Sequence, residues 1–290
     1  NDDFKDIAAA LVNLNESTAA WGDFDKDADL DILLAGEDRN GKLVTRIYEN
    51  QGGVFAPTEI ELPGIKSGAV VWSDFDSDGD LDILLIGQAE SGPISEIYSN
   101  DDAEFSLHAS LVGVKNSAAT FGDFDHDGDP DILLLGESAS AKITTILRND
   151  DGEFTDIKPA LPALTDGAAA WGDFDNDNKL DLVLTGRSDT GPQTLIYRNR
   201  IETQNSPPAA PVSLSSRVSG RKVALSWSPA TDAETPQPAL TYNIRIGKTP
   251  DGGEIVSPMA DAVSGYRHIA AMGNARHDTG WTIKRLPEGV

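Results

Sequence analysis

Trp72-Ser-Asp-Phe-Asp-Ser-Asp-Gly-Asp-Leu-Asp82 is one of four near-copies of a single stretch. The others are Trp21-Gly-Asp-Phe-Asp-Lys-Asp-Ala-Asp-Leu-Asp31, Phe121-Gly-Asp-Phe-Asp-His-Asp-Gly-Asp-Pro-Asp131 and Trp171-Gly-Asp-Phe-Asp-Asn-Asp-Asn-Lys-Leu-Asp181. They align without gaps, and their leading aromatics are 51, 49 and 50 residues apart. Each is followed by four mostly apolar residues and a glycine: Gly36, Gly87, Gly136 or Gly186. A fixed period of this length marks a repeat architecture, in which no unit can bury its apolar face alone.

The rest of the unit repeats too. About 26 residues after each aromatic comes a short run ending in asparagine: Ile47–Asn50, Ile97–Asn100, Ile146–Asn149 and Ile196–Asn199. Phe55, Phe105 and Phe154 follow five residues after the asparagine in three copies. Four short extended runs per unit, separated by turn residues, predict a four-stranded antiparallel sheet. Four such sheets predict an all-β chain of β-propeller blades. The opening Asn1-Asp-Asp-Phe4-Lys-Asp-Ile7 matches Asn149-Asp-Asp-Gly-Glu-Phe154-Thr-Asp-Ile157 and predicts a lone fourth strand. The last unit has runs for only three strands, so a four-bladed ring closed by that stray strand and a fragment of a larger ring are both open readings.

The formal net charge is −25, and it is concentrated in the repeats. Residues 1–202 carry 41 acids and 14 bases, whereas residues 203–290 carry 7 and 9. Such an acidic segment repels nucleic acid and anionic membranes. No apolar run approaches the roughly 18 residues of a membrane span. There is no cysteine, which excludes disulfides, thiol catalysis and thiolate zinc sites.

The acids recur at loop positions one, three, five and nine. These are Asp23, Asp25, Asp27 and Asp31; Asp74, Asp76, Asp78 and Asp82; Asp123, Asp125, Asp127 and Asp131; Asp173, Asp175, Asp177 and Asp181. Alternating carboxylates on a tight loop converge and repel one another unless a cation sits between them. Hard oxygen donors in this number suit Ca²⁺, about four ions, one per repeat. Position seven holds Asp29, Asp80, Asp129 or Lys179, a variation that fits a ligand contributed by the backbone carbonyl. Position six holds Ala28, Gly79, Gly128 or Asn178; glycine and asparagine tolerate a left-handed turn and alanine does so poorly. One site per unit is the arrangement of a structural metal, since a catalytic metal is usually unique and keeps an open position.

The Asp-Phe-Asp-x-Asp-Gly-Asp-Leu-Asp-Ile pattern resembles the FG-GAP/VCBS repeat family over about residues 1–200. That family includes the integrin alpha propeller and many bacterial surface proteins. The resemblance implies a calcium-stabilised propeller, commonly seven-bladed, outside the cell. Against a common seven blades, four copies make the resemblance favour a fragment of a larger ring over a complete one.

Ile201-Glu-Thr-Gln-Asn-Ser-Pro-Pro-Ala-Ala-Pro211 reads as a proline-rich hinge. The division predicted is therefore repeats over 1–202, linker over 203–211 and a second module over 212–290. Val223–Trp227 and Leu240–Ile246 alternate as strands. With Trp227 and Tyr242, this module resembles a fibronectin type III β-sandwich, cut short at Leu286-Pro-Glu-Gly-Val290 before its last two strands.

No catalytic constellation emerges. His108, His126, His268 and His277 lie in unrelated contexts, and nearly every clustered acid already has a metal role. Trp21, Trp72 and Trp171 suit inter-blade core better than sugar stacking. The chain thus reads as a non-enzymatic adhesion or scaffold protein, extracellular or cell-surface and bacterial. Its expected partner is a protein or glycan ligand, and its incomplete ends are expected to be covered either by self-assembly or by the rest of a longer parent chain. Two alternatives remain: an ancillary propeller of a secreted polysaccharide-active enzyme, and a sugar-binding lectin propeller.

Overall fold

The computed structural model describes residues 4–27, 29–203, 206–220, 222–233, 235–247, 249, 273, 275, 277 and 279–283. Among the described residues the chain is all-β apart from one short 3-10 turn. The first repeat is a sheet of β1 (Leu14–Gly22), β2 (Asp31–Asp38), β3 (Leu43–Asn50) and β4 (Phe55–Pro57), antiparallel and in sequence order. The second has β5 (Lys66–Ser73), β6 (Asp82–Ala89), β7 (Gly92–Asp101) and the front of β8 (Glu104–Gly122). The rear of β8 serves as first strand of the third repeat, pairing with β9 (Asp131–Glu137), which leads to β10 (Lys142–Asp150) and β11 (Glu153–Asp156). The fourth has three strands, β12 (Thr165–Gly172), β13 (Asp181–Ser188) and β14 (Gly191–Tyr197).

The four first strands lie side by side: β1 against β5, β5 against β8, β8 against β12. Each carries a bulge at the same place, with Glu16, Ser67, Asn116 and Asp166 in the left-handed region. A bulge bends its strand and sharpens its twist, which suits the crowded inner position. At Gly68 and Gly167, just after the bulge, an added Cβ would lie 1.9 Å from the carbonyl oxygen of Ile86 or Thr185. Only glycine fits there.

The apolar core is divided into three parts, each between neighbouring blades. Phe24, Leu33 and Ile47 of blade one meet Ile65, Trp72 and Ile83 of blade two. Phe75, Leu84 and Ile97 then meet Val114, Ile132 and Leu147. Leu133 and Ile146 meet Leu164, Trp171 and Leu182. Aromatic stacks reinforce two of these seams, Phe24 on Trp72 at 6.3 Å and Phe124 on Trp171 at 6.1 Å between ring centroids. Gly22 and Gly122 admit the tryptophans, since a Cβ on either would lie 2.7 Å from the indole. Trp72 and Trp171 are thus inter-blade core, whereas Trp21 is 59% exposed.

Two expectations are corrected. The opening segment forms no strand among its described residues, and Phe4 and Ile7 are exposed. Its matching strand β11 is held by β10 of its own blade; the opening segment belongs to no complete blade. In the second module, Leu240–Ile246 does not form a strand either. The N–H of Ala275 donates to the carbonyl of Tyr242 (2.9 Å), and that of Gly273 to the side-chain Oγ1 of Thr241 (3.1 Å). Leu240 and Tyr242 instead bury their side chains beside Trp227 and Ala230. The described sheet has three strands, β15 (Val212–Ser219), β16 (Lys222–Ser228) and β17 (Gly280–Ile283), with β16 central. The described residues show one three-stranded sheet with β15 exposed along its length, and they lend the fibronectin reading no support. The expected end of the module, 286–290, lies outside them.

Candidate metal centres

Each acidic loop joins the first strand of its blade to the second, and its own backbone shapes it. Oδ1 of the first aspartate accepts the N–H of position five: Asp27 to Asp23, Asp78 to Asp74, Asp127 to Asp123, Asp177 to Asp173, all 3.0–3.2 Å. Its Oδ2 accepts the N–H of position six from Gly79, Gly128 and Asn178. Those three residues are left-handed, as the sequence predicts; Ala28 lies outside the described residues. A second left-handed position escaped the sequence reading. Position four is Lys26, Ser77, His126 or Asn176, with φ of 60–64°. These side chains share no chemistry that would signal such a backbone.

The tight loop draws carboxylates together. Oxygens of Asp23, Asp25 and Asp27 lie within 4.8 Å of one another, as do those of Asp74, Asp76 and Asp78, and of Asp123, Asp125 and Asp127. In the fourth loop the group is Asp173, Asp175 and Asp181. There Asp177 faces Arg198, whose guanidinium also pairs with Asp175 at 2.7 Å.

Position nine does something the sequence did not reveal. Both oxygens of Asp82 accept backbone N–H groups, from Phe75 and Asn100, each at 2.9 Å. Asp31, Asp131 and Asp181 do the same with Phe24 and Asn50, Phe124 and Asn149, Phe174 and Asn199. This carboxylate clamps the loop to the end of the third strand, and only its remaining lone pairs are available to a cation. Three of the position-seven side chains are engaged outside the clusters. Asp80 and Asp129 accept the N–H of Asp102 and Asp151, Asp80 also pairs with Lys26, and Lys179 donates to the carbonyl of Ile201.

The asparagines ending the third strands are the functional residues the sequence showed without explaining. Nδ2 of Asn100 donates to the carbonyl of Phe24, in the metal loop of the preceding blade, at 2.9 Å. Asn149 reaches Phe75 at 2.7 Å and Asn199 reaches Phe124 at 2.8 Å. Each loop is thereby fastened from behind by the next blade. The clue was a fixed spacing of 18 or 19 residues from the position-nine aspartate.

Burial pushes the carboxyls upward from their ordinary range. Asp74 and Asp123 reach about 7, and Asp82 and Asp131 about 8, each chiefly because burial disfavours the charged form. Asp31 reaches about 6 for the same reason. Among the described residues, the buried Oδ1 atoms of Asp125 and Asp175 accept no hydrogen bond. Oxygen-only donors, unpartnered buried oxygens and raised carboxyl pKa values suit a hard divalent cation. The residues to hold it are those at positions one, three and five, with position nine and the carbonyl of position seven. No histidine belongs to these groups among the described residues, although Nε2 of His277 lies 3.9 Å from Oδ2 of Asp74. His108 stacks on Phe75 at 4.6 Å with Nε2 2.9 Å from the carbonyl of Gly152, and burial lowers the pKa of His126.

A pH signature follows. Without cations these aspartates titrate higher in the folded chain than in the unfolded one, so the folded state holds more protons between about pH 4 and 8. Stability of the cation-free protein is therefore expected to fall as pH rises through that window. Calcium holds the same groups ionised, so in saturating calcium stability should rise with pH. Melting curves at pH 5–8, on protein stripped over a chelating resin and on protein in calcium, check this. Parallel trends in both would contradict it; the acidic net charge alone can explain the cation-free trend but not the reversal.

Residues 23–85 and 123–184 match the FG-GAP-like repeat. The two matched segments contain all four acidic loops, so the chain carries FG-GAP-like repeats there; the match does not extend into residues 212–290. Among solved structures, a thermostable family-43 glycoside hydrolase is similar at 11% identity, over 73% of this chain and 75% of that one, with a TM-score of 0.36. No curated protein matches.

Proposed function

We propose that the protein is a non-catalytic, calcium-stabilised binding or scaffold protein acting outside the cell, at a bacterial surface. The observation that carries this reading is the placement of the clusters: one per blade, at the same point, each in a loop clamped by the position-nine carboxylate. In the first three blades the loop is also bonded to the asparagine of the next blade. A cation there stiffens the seam between blades, a structural task. Modules of this kind work at the high calcium levels found outside cells, where weak sites suffice. Among the described residues no helix is long and apolar enough to cross a membrane. The calcium-loaded protein should bind a surface glycan or protein and lose that binding with its calcium, while releasing no sugar from polysaccharides. Glycan arrays and hydrolysis assays, with and without calcium, test both halves. Steady sugar release would overturn the reading.

A further inference from the structure

The position-nine clamp also fixes what stands beside each loop. It holds the N–H of the asparagine that ends the third strand. The residue just before that asparagine is Glu49, Ser99, Arg148 or Arg198. In blades one to three it keeps one cross-strand register, opposite Ala56, Ser106 and Thr155. The backbone is the same from blade to blade, and the charge is not.

In blade four the consequence is a direct contact. Nη2 of Arg198 lies 2.7 Å from Oδ2 of Asp175 and 3.2 Å from Oδ2 of Asp177. Those are positions three and five, two of the carboxylates assigned to the cation. A positively charged nitrogen thus sits between two of its ligands. The cluster differs to match: its close group is Asp173, Asp175 and Asp181, whereas the other loops gather positions one, three and five. The buried Oδ1 of Asp175 accepts no hydrogen bond, so Arg198 engages one oxygen of that carboxylate and leaves the other. Lys179 also stands where the other loops have an aspartate at position seven.

The other blades grade the same effect. Arg148 donates to Asp150 from Nε and Nη2, at 3.0 and 2.9 Å, and acts on its loop from there. Burial and the charge of Asp127 raise the Asp125 carboxyl, and Arg148 opposes them. Ser99 is neutral and meets Ser106 at 3.3 Å. Glu49 works the other way: burial raises the Asp25 carboxyl most, and the charges of Asp27 and Glu49 add to it. From blade one to blade four the residue runs from anion through neutral to cation, while positions one, three, five and nine stay aspartate. A neighbouring charge attracts or repels a bound divalent cation whether or not it ligates it.

We propose that the residue before the third-strand asparagine sets the calcium affinity of its own blade's loop, and that Arg198 is a resident counter-ion which calcium must displace from the fourth. This rests on the calcium reading above. The Arg198 side chain is 53% exposed, so its guanidinium can swing into water when calcium arrives. Until then it neutralises Asp175 and Asp177, and the fourth loop keeps its shape without metal. That loop therefore loads at higher calcium than its aspartates alone would require, and it loses least order when calcium leaves.

Calcium titration of the full chain, followed through the amide resonances of each loop, reads the four affinities separately. Arg198→Ser should tighten loop four, residues 173–181, by about tenfold or more, because it removes a unit charge from beside the ion. Arg198→Glu should tighten it further. Ser99→Arg should weaken loop two and Glu49→Arg loop one, each leaving the other loops as they are. None of these side chains is a proposed ligand, and Ser99→Arg keeps the test decisive if the Arg198 variants misfold. In chelator, the amides of 173–181 should exchange more slowly than those of the other loops, and faster in Arg198→Ser. A fourth loop that binds no more tightly in Arg198→Ser, a second loop indifferent to Ser99→Arg, or a fourth loop that loosens in chelator like the rest would overturn the proposal and leave the calcium reading standing. A wild-type chain in which no loop responds to calcium would overturn both.

Discussion

Removing calcium is expected to lower the melting temperature by roughly 20 °C or more. The folded loops gather carboxylates within 4.8 Å of one another in each of four blades, and the unfolded chain has no such groups. A ligand that binds only the folded state adds about 2.7 kcal/mol at a hundredfold excess over its Kd. Four such sites add roughly 10 kcal/mol, comparable to the whole stability of an ordinary domain. For a domain of this size each kcal/mol moves the melting temperature by about 2–4 °C. Differential scanning calorimetry in calcium, then in chelator, then with calcium restored, measures the effect. Magnesium should restore far less, because it demands a tight octahedron and sheds water reluctantly. An unchanged melt in chelator would remove calcium from the account of the fold.

How much of this was legible in the residues depends on what each reports. The period, the strands and the acidic ladder were visible because four copies cancel accidents of any one. Gly79, Gly128 and Asn178 announced their left-handed turns through residue type; Lys26, Ser77 and His126 did not, since the loop imposes that backbone on whatever stands there. The clamp made by Asp82 was hidden because an aspartate at fixed spacing can be a ligand, a clamp or both, and only its two 2.9 Å bonds to backbone N–H groups reveal the second role. The second module misled for a different reason. Leu240-Thr-Tyr-Asn-Ile alternates as a strand would, but alternation records which side chains are buried, not which backbone groups pair. There the N–H groups of Gly273 and Ala275 bond to this stretch before any sheet edge does.

Asn149→Ala is expected to destabilise the protein by about 3 kcal/mol or more, and Asn50→Ala by about 1 kcal/mol, although the two residues hold the same place in the repeat. Asn149 is fully buried. Its Nδ2 donates to the carbonyls of Phe75 and Pro130, and its Oδ1 accepts the N–H of Gly152. Alanine would strand three backbone groups, of which the carbonyl of Phe75 and the N–H of Gly152 are in buried bonds and the carbonyl of Pro130 in a part-buried one; orphaning a buried polar atom costs about 1–3 kcal/mol. Asn50 meets no preceding blade among the described residues. Its side chain reaches only Leu30 and Gly53 in its own blade, in surroundings that are half open to water, which can replace those bonds. The melting temperature should therefore drop by about 6–12 °C for Asn149→Ala and by about 4 °C or less for Asn50→Ala. The bond to Phe75 also predicts where the damage goes. The amides of residues 74–80, in the preceding blade, should exchange with solvent faster in Asn149→Ala, and their calcium should bind more weakly. In Asn50→Ala no loop of another blade should change. Equal losses from the two substitutions would mean that the asparagine serves its own turn and that blades are joined by apolar packing alone.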